Sequence, residues 1–343
     1  MPVICCYIDA STFASMDVTL QNFTVSGCRF KSVGGHCLTS NYYKCGEGGR
    51  VTSSAILLRN NQFHCSHKCV QLAWPRCNAT SVTLSRNSFL RNKFYAAVEL
   101  YLLNVPFIRV TENTFVDLRG GALSLSLADA ADSEVTISDN IFRAVGSPYV
   151  DSAVSIDCRS GSRRSARDVL NISLSRNDFF FNLASSAVVT SCPGLFVTEN
   201  VFVNPGAARD FETRVLYENF AMMFAPLNHW NATTFDAIAA RVYDFADDES
   251  VALVQVSPWY LDPNRTQMAS GGSQFFKGPF EVGGRMESDV TLSSTEQPYR
   301  VTQNIFVPHG RKLVIEAGVE LLFASGGITV EGKYTCSVFY NFN

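Results

Sequence analysis

One short pattern returns seven times between residues 23 and 202. Apolar residues alternate with mostly polar ones, and in six of the seven copies the alternation ends in Asn, one variable residue and Phe. Successive Asn-x-Phe anchors lie 23 to 37 residues apart, a spacing typical of stacked structural repeats. The copies are FTVSGCRF (23–30), ILLRNNQF (56–63), VTLSRNSF (82–89), IRVTENTF (108–115), VTISDNIF (135–142), ISLSRNDF (172–179) and LFVTENVF (195–202).

The alternation predicts strands, because successive side chains of a strand point to opposite faces. Two inward columns are expected, one starting at Phe23 and the other two residues later at Val25, with mostly polar residues between them. The first column consists of Phe23, Ile56, Val82, Ile108, Val135, Ile172 and Leu195. The second consists of Val25, Leu58, Leu84, Val110, Ile137, Leu174 and Val197.

A short bridge after each Phe leads to a second strand, in which a column of small residues precedes an apolar column. Each unit buries only one face, so its core must close by stacking on its neighbours. The unit is too short for a propeller blade and has no helix for a leucine-rich repeat, so the pattern predicts a parallel β-helix. The small column consists of Cys37, Cys69, Ala97, Ala122, Ala153 and Ala187.

The invariant Asn-x-Phe spacing predicts two internal stacks. Asn tolerates a left-handed backbone and can donate a hydrogen bond to the next coil at a sharp corner, and the Phe two residues later would form an aromatic stack. We interpret both rows as scaffold rather than as a ligand-binding surface. The rows are Asn87, Asn113, Asn140, Asn177 and Asn200, and Phe89, Phe115, Phe142, Phe179 and Phe202.

The placement of the 11 cysteines predicts disulfides between neighbouring coils. Cys158 and Cys192 close the same strand in consecutive coils, and equivalent positions on stacked coils lie within the Cα separation that a disulfide needs. We expect the pairs Cys158–Cys192 and Cys45–Cys77, with Cys37–Cys69 as a third candidate.

Zinc is the competing interpretation, because His64, Cys65, His67 and Cys69 lie close together in the sequence. Their spacing matches no Cys-x2-Cys pair, and the coil period accounts for Cys69 without a metal. We therefore expect no metal and no cofactor, and an oxidising, extracellular environment.

Composition limits the class of protein. The net charge of −3 excludes the basic field of a typical nucleic-acid-binding protein. The chain has no run of 18 apolar residues that could span a bilayer, and its start lacks the features of a secretory signal. Either the protein is cytosolic or the chain is a piece of a longer protein, and the cysteines and glycosylation candidates favour the second. Five Asn-x-Ser/Thr sites are glycosylation candidates: Asn22, Asn78, Asn171, Asn231 and Asn264.

The repeat is predicted to end after Phe202. Apolar residues at three- and four-residue steps from Phe235 to Phe245 predict a short amphipathic helix within 232–248. YRVTQNIF (299–306) resembles the repeat, and the last residues abandon it, so a second β-helix unit is expected to be truncated. The predicted organisation is β-helix coils in 1–227, a helix-containing end cap and strand in 228–269, a linker in 270–288 and the opening of the second unit in 289–343.

Catalysis is weighed against a scaffold role on the placement of acidic residues. Glycoside hydrolysis needs two carboxylates flanking one bond, whereas the outward column of the second strand contains Glu99 as its one acidic residue. The acidic residues before the ladder Asn, such as Glu112 and Asp139, interleave with Arg86 and Arg176, which predicts surface charge pairs. We predict no catalytic residue; a carbohydrate-active enzyme or a glycan-binding module remains the alternative.

Three features together resemble one family. The Asn-x-Phe units resemble the right-handed parallel β-helix repeats of the pectin-lyase-like superfamily. Two further segments resemble sequences that recur with such repeats in the bark beetle (anakonda) family of large extracellular proteins of animal epithelia. These segments are NHWNATTFDAIAARVYDFADDESVALVQVSPWYLDP (228–263) and VTLSSTEQPYRVTQNIFVPHGRKLVIEAGVELLFASGGITVEG (290–332).

The resemblance implies an all-β fold, a right-handed parallel β-helix with one short amphipathic helix and the start of a second β-helix unit. It also implies part of the ectodomain of a single-pass membrane protein that organises septate junctions where three cells meet. The implied partners are other cell-surface or junction proteins and glycans, with no nucleic acid, and the membrane is reached through a span outside this segment.

Overall fold

The structure is a computed structural model of the chain. Almost every described element is a strand, and one short helix interrupts them. The described residues are 7–9, 22–32, 37–39, 54–74, 79–103, 105–128, 133–159, 171–216, 222–248, 250–269, 276–278, 280–286, 288–294, 298–307, 310–324 and 327–330.

Three parallel sheets enclose the core of a β-helix, and each full coil contributes one strand to each sheet. The first sheet, which holds the strands before the ladder Asn, consists of Asn22–Ser26, Ser54–Arg59, Ala79–Ser85, Phe107–Thr111, Glu134–Ser138, Asn171–Ser175, Leu195–Thr198, Met222–Phe224 and Leu253–Gln255. The second, which holds the Phe residues, consists of Tyr7–Asp9, Arg29–Ser32, Gln62–Cys65, Ser88–Leu90, Thr114–Leu118, Ile141–Val145, Asp178–Phe180 and Val201–Val203. The third consists of Leu38–Thr39, Val70–Trp74, Val98–Leu103, Leu123–Ala128, Ser152–Arg159, Ser186–Thr190, Arg209–Thr213 and Val242–Tyr243.

The register of the first sheet confirms the predicted inward columns. Ile108 lies opposite Val82 on one side and Val135 on the other, and Val110 lies between Leu84 and Ile137 in the same way. These side chains are at most 1% exposed, because the alternation directs them to the interior of the coil. The third sheet behaves alike, with Val98 opposite Val70 and Leu123.

The β-helix continues beyond Phe202, so the predicted end of the repeat is wrong. Asn228 and Trp230 occupy the positions of the Asn and Phe in one more coil: Asn200 N–H donates to Asn228 Oδ1 at 2.8 Å, and the Trp230 ring stacks on Phe202 at 4.7 Å. This coil departs from the Asn-x-Phe pattern because Trp replaces Phe. Strands Met222–Phe224 and Leu253–Gln255 extend the first sheet past the same point.

The helix is shorter than predicted. It spans Phe235–Ala239 only, and Val242–Tyr243 is a strand of the third sheet, paired with Phe211–Glu212. The carbonyl oxygen of Arg241 accepts the backbone N–H of Asp210 at 2.7 Å, which directs the chain into the sheet. The three- and four-residue spacing of apolar residues therefore reflects a short helix followed by a strand.

The chain divides into two compact units, one formed by residues 1–233 and 237–269 and the other by 234–236 and 270–343. In the second unit, strands around a separate apolar core pair in parallel except for the first two, which are antiparallel. Its strands are Phe276–Gly278, Glu281–Arg285, Val290–Leu292, Tyr299–Val307, Leu313–Ile315, Leu321–Phe323 and Ile328–Val330; a small hairpin in the first unit is formed by Trp259–Tyr260 and Met268–Ala269.

Candidate interaction surface

An asparagine ladder runs along one corner of the β-helix, between the first and second sheets. In Asn140, Oδ1 accepts the backbone N–H and the Nδ2–H of Asn113 at 2.9 and 3.0 Å, and Nδ2 donates to Val110 O at 2.8 Å and Asn177 Oδ1 at 2.9 Å. The fully buried carboxamide thereby makes four hydrogen bonds, two accepted by its oxygen and two donated by its nitrogen. The ladder consists of Asn61, Asn87, Asn113, Asn140, Asn177, Asn200 and Asn228.

The left-handed backbone lies one residue before each ladder Asn, so its predicted place at the Asn itself is wrong. Glu112, Asp139 and Arg176, for example, have φ values of 56°, 58° and 54°. This conformation turns the chain sharply and costs a non-glycine residue roughly 1–2 kcal/mol. The turn directs the following Asn inward, where its hydrogen bonds offset the cost, and leaves the corner side chain in solvent.

A continuous aromatic stack lies beside the ladder, as predicted, and is longer than predicted. Neighbouring ring centroids are 4.7 to 5.0 Å apart with interplanar angles of 5° to 13°. The parallel register places each ring over the next, and all are buried. The stack consists of Phe30, Phe63, Phe89, Phe115, Phe142, Phe179, Phe202 and Trp230.

A second polar network, which the sequence analysis missed, closes the corner between the second and third sheets around Asn182 and Asn204. Asn182 N–H donates to Asn204 Oδ1 at 3.0 Å, Asn204 Nδ2 donates to Asp210 Oδ1 at 2.8 Å, and Arg241 Nε donates to Asp210 Oδ2 at 2.9 Å. Asp210 is 1% exposed. Asn182 follows its ladder Asn by five residues and Asn204 by four, so the period was too irregular to recognise.

Two disulfides link neighbouring coils in the described part of the chain. Cys158–Cys192 is confirmed, with a Cα separation of 4.8 Å, and the pair Cys45–Cys77 lies outside the described residues. Two such bonds indicate an extracellular or secreted environment.

The candidate pair Cys37–Cys69 is wrong, because Cys37 bonds to Cys65 with a Cα separation of 6.4 Å. Cys37 and Cys65 both face the interior at the bend between the second and third sheets, at 3% and 1% exposure. Cys69 keeps its place in the small column, and burial raises the pKa of its thiol well above the usual range. Among the described residues, no group of three or more His, Cys, Asp or Glu side chains could hold a metal ion.

The acidic residues of the third sheet are held in local contacts. Glu99 is 7% exposed and lies 2.7 Å from Lys68 Nζ. Glu212 accepts hydrogen bonds from Ser186 and Arg214, both at 2.7 Å. Glu99 and Glu212 share one column but stand four coils apart, which is about 19 Å at the strand spacing of a sheet. That separation exceeds the roughly 5–9.5 Å at which two carboxylates can act on one glycosidic bond.

Charge pairs between coils occupy the outer side of the asparagine corner, as predicted. Arg86 contacts Glu112 at 2.7 Å, and Arg176 contacts Asp139 at 2.8 Å. The hydrogen bond from Arg176 holds the pKa of Asp139 below its usual value. These side chains are half-exposed, so each pair contributes little to stability.

The glycosylation candidates occupy different parts of the fold. Asn171, at the start of a first-sheet strand, Asn231 and Asn264 are exposed, and Asn22 begins another strand of that sheet. Asn78 lies outside the described residues. Exposure makes these three asparagines accessible, and attachment of a glycan stays a prediction.

Within the described residues, every helix is too short to cross a bilayer. Comparison with known proteins gives no match, whether among models of protein families, among curated proteins or among solved structures.

Proposed function

We propose that this chain is a non-catalytic, extracellular scaffold segment that organises contacts between cells. The observation that carries the proposal is that the inward polar residues make structural hydrogen bonds: the ladder carboxamides bond to one another and to the backbone. Such a core holds three outer sheet faces in fixed register, and a solenoid with extended faces is suited to binding other proteins.

The environment supports the same role. Disulfides between coils belong to an oxidising compartment, and the resemblance to the bark beetle (anakonda) family supports a place in the ectodomain of an epithelial junction protein. We infer that the partners are cell-surface or junction proteins, reached at tricellular or septate contacts.

Binding to live epithelial sheets tests this proposal. The chain, secreted with a fluorescent tag, is applied to a sheet whose cell vertices are marked with a second label. We expect enrichment at cell contacts, highest at vertices. Uniform staining equal to that of a tagged protein of similar size and charge would exclude the junctional role.

An enzyme assay separates the scaffold from the alternative. The chain and its Glu99→Gln variant are incubated with a panel of acidic and neutral polysaccharides, and new reducing ends are measured. We expect no cleavage by either protein. Cleavage by the wild type that is lost in the variant would replace the proposal with a carbohydrate-active enzyme.

A further inference from the structure

Six exposed cations gather on the outer side of the second sheet and on the bend that follows it. Lys31 lies in register with His64, His64 with Leu90, Leu90 with Val116, and Val116 with Arg143. Arg29 lies two residues before Lys31 on the same strand. Arg91 directly follows Leu90, Lys93 lies two residues later at the bend, and Arg119 follows the strand of the next coil. We call this set the basic strip: Arg29, Lys31, Arg91, Lys93, Arg119 and Arg143.

Unlike most other described arginines of the β-helix, the cations of the basic strip have no carboxylate partner among the described residues. At the asparagine corner, Arg86 and Arg176 each contact an acidic residue within 2.8 Å, and Arg241 contacts buried Asp210. Close to the strip, Asp117 is exposed, and Asp9 lies in register with Lys31. Asp178 lies one coil beyond Ile141 on this sheet, 3.7 Å from Arg265. The six cations of the strip therefore outnumber the described acidic residues beside them, in a chain whose net charge is −3.

The electrostatic state of His64 supports a positive field at the strip. Burial lowers the pKa of His64, and the positive charges of Arg29, Arg91 and Lys31 lower it further. Like charges that converge on one imidazole without a described acidic partner leave unbalanced charge for a ligand.

The strip is elongated along the axis of the coils. Its members belong to four of five consecutive coils, with His64 on the remaining one, and the stacked rings of these coils step by 4.7 to 5.0 Å. A linear polyanion laid along the axis would meet one or two cations at each of these four coils, whereas a compact anion would use only part of the set. Disulfides place the chain outside the reducing cytosol. Sulfated polysaccharides are linear polyanions of the extracellular space, and their high charge density suits a row of Arg and Lys side chains.

We propose that the basic strip binds a sulfated polysaccharide chain parallel to the β-helix axis. The ligand contacts are ion pairs between sulfate groups and Arg or Lys side chains, and they are strongest where several cations are neighbours. Added salt weakens the binding because it screens the charges and reduces the free energy gained by releasing counterions. This binding is separate from the junctional role proposed above.

The test measures binding of a fluorescent heparin oligosaccharide to the full chain in 0.15 M NaCl. Variant one carries Arg29→Gln, Lys31→Gln and Arg91→Gln. Variant two, the control, removes the same charge from exposed arginines elsewhere through Arg59→Gln, Arg86→Gln and Arg109→Gln. We expect variant one to bind about tenfold more weakly and the control to bind within about twofold of the wild type.

Several outcomes would overturn the proposal. Equal loss in both variants would assign binding to net charge alone, and wild-type binding that does not weaken with added NaCl would rule out ion pairing. Equal affinity for N- and O-desulfated heparin or for single-stranded DNA of the same length would exclude recognition of sulfate. Tighter binding to vesicles that contain phosphatidylserine would favour a membrane surface instead. Circular dichroism and thermal melting of both variants, expected to match the wild type, exclude misfolding as the cause.

Discussion

Replacing Asn140 by Ala tests whether the asparagine ladder holds the coils together. The substitution removes four buried hydrogen bonds, two accepted by Oδ1 and two donated by Nδ2. At a net contribution of about 1 kcal/mol each, the free energy of unfolding should fall by about 4 kcal/mol. The backbone N–H of Asn113 also loses its acceptor while remaining buried, so the cost should lie at the upper end of that estimate.

Two measurements check this prediction. Urea denaturation followed by circular dichroism gives the global loss of stability, and hydrogen exchange gives the local effect at the Asn113 amide, which should exchange faster. Asn171→Ala is the matched control, because Asn171 is exposed and outside the ladder; its cost should be below about 0.5 kcal/mol in unglycosylated protein. A cost of less than 1 kcal/mol for Asn140→Ala would refute the reasoning.

Asn140→Asp distinguishes hydrogen bonding from simple side-chain volume. The second carboxylate oxygen would replace Nδ2 and face two acceptors, Val110 O and Asn177 Oδ1. The variant should therefore be less stable than Asn140→Ala at pH 7. Burial and the lack of hydrogen-bond donors raise the pKa of the introduced carboxyl group in the folded state. The free energy of unfolding of this variant should therefore increase as pH falls. An Asp variant as stable as the wild type would show that the ladder contributes only packing.

Three further predictions concern the core, a disulfide and a buried acid. Phe142→Ala should cost about 3–5 kcal/mol in denaturant titrations, since it opens a gap between rings at 5.0 and 4.7 Å, whereas Phe181→Ala at an exposed position should cost under 1 kcal/mol. Cys158→Ser should cost about 4 kcal/mol relative to the oxidised protein, the loop-closure estimate for a separation of 34 residues, and equal melting with and without reductant would contradict this. Burial raises the pKa of Asp244 from 3.8 to about 6, so the folded state holds this proton more tightly than the unfolded state. Its contribution to stability is full below about pH 4 and is lost as pH rises through 6, a fall of about 3 kcal/mol that should be absent from the pH profile of Asp244→Asn.

The inward columns could be predicted because parallel stacking repeats the same local requirement in every coil. Ile108 and Phe115 are buried for the same reason as their counterparts above and below, so one pattern found them all. The second corner network could not be predicted in this way. Asn182 and Asp210 depend on each other through Asn204, across coils of unequal length, and no single spacing encodes such contacts.

Residue substitutions explain the other differences. Trp230 occupies the position of a stack Phe, so the Asn-x-Phe pattern predicts an end cap where the structure has a further coil. In the first coil, Cys28 stands where later coils have Asn, and its backbone N–H still donates to Asn61 Oδ1 at 2.9 Å. Cys37 lies beside Cys69 in the register of the third sheet and close to Cys65 across the bend. The spacing of cysteines along the sequence does not distinguish these two partners.

Distance along the chain and distance along the axis are independent in this β-helix. Successive ladder asparagines are separated by as few as 23 and as many as 37 positions, yet the rings of the neighbouring aromatic stack keep a spacing of 4.7 to 5.0 Å. The inward columns therefore stay in register whether the interval between two ladder residues is short or long. Such a protein can acquire or lose surface loops during evolution without changing the packing of its core. New recognition loops can be added one coil at a time, each at a defined position along the axis.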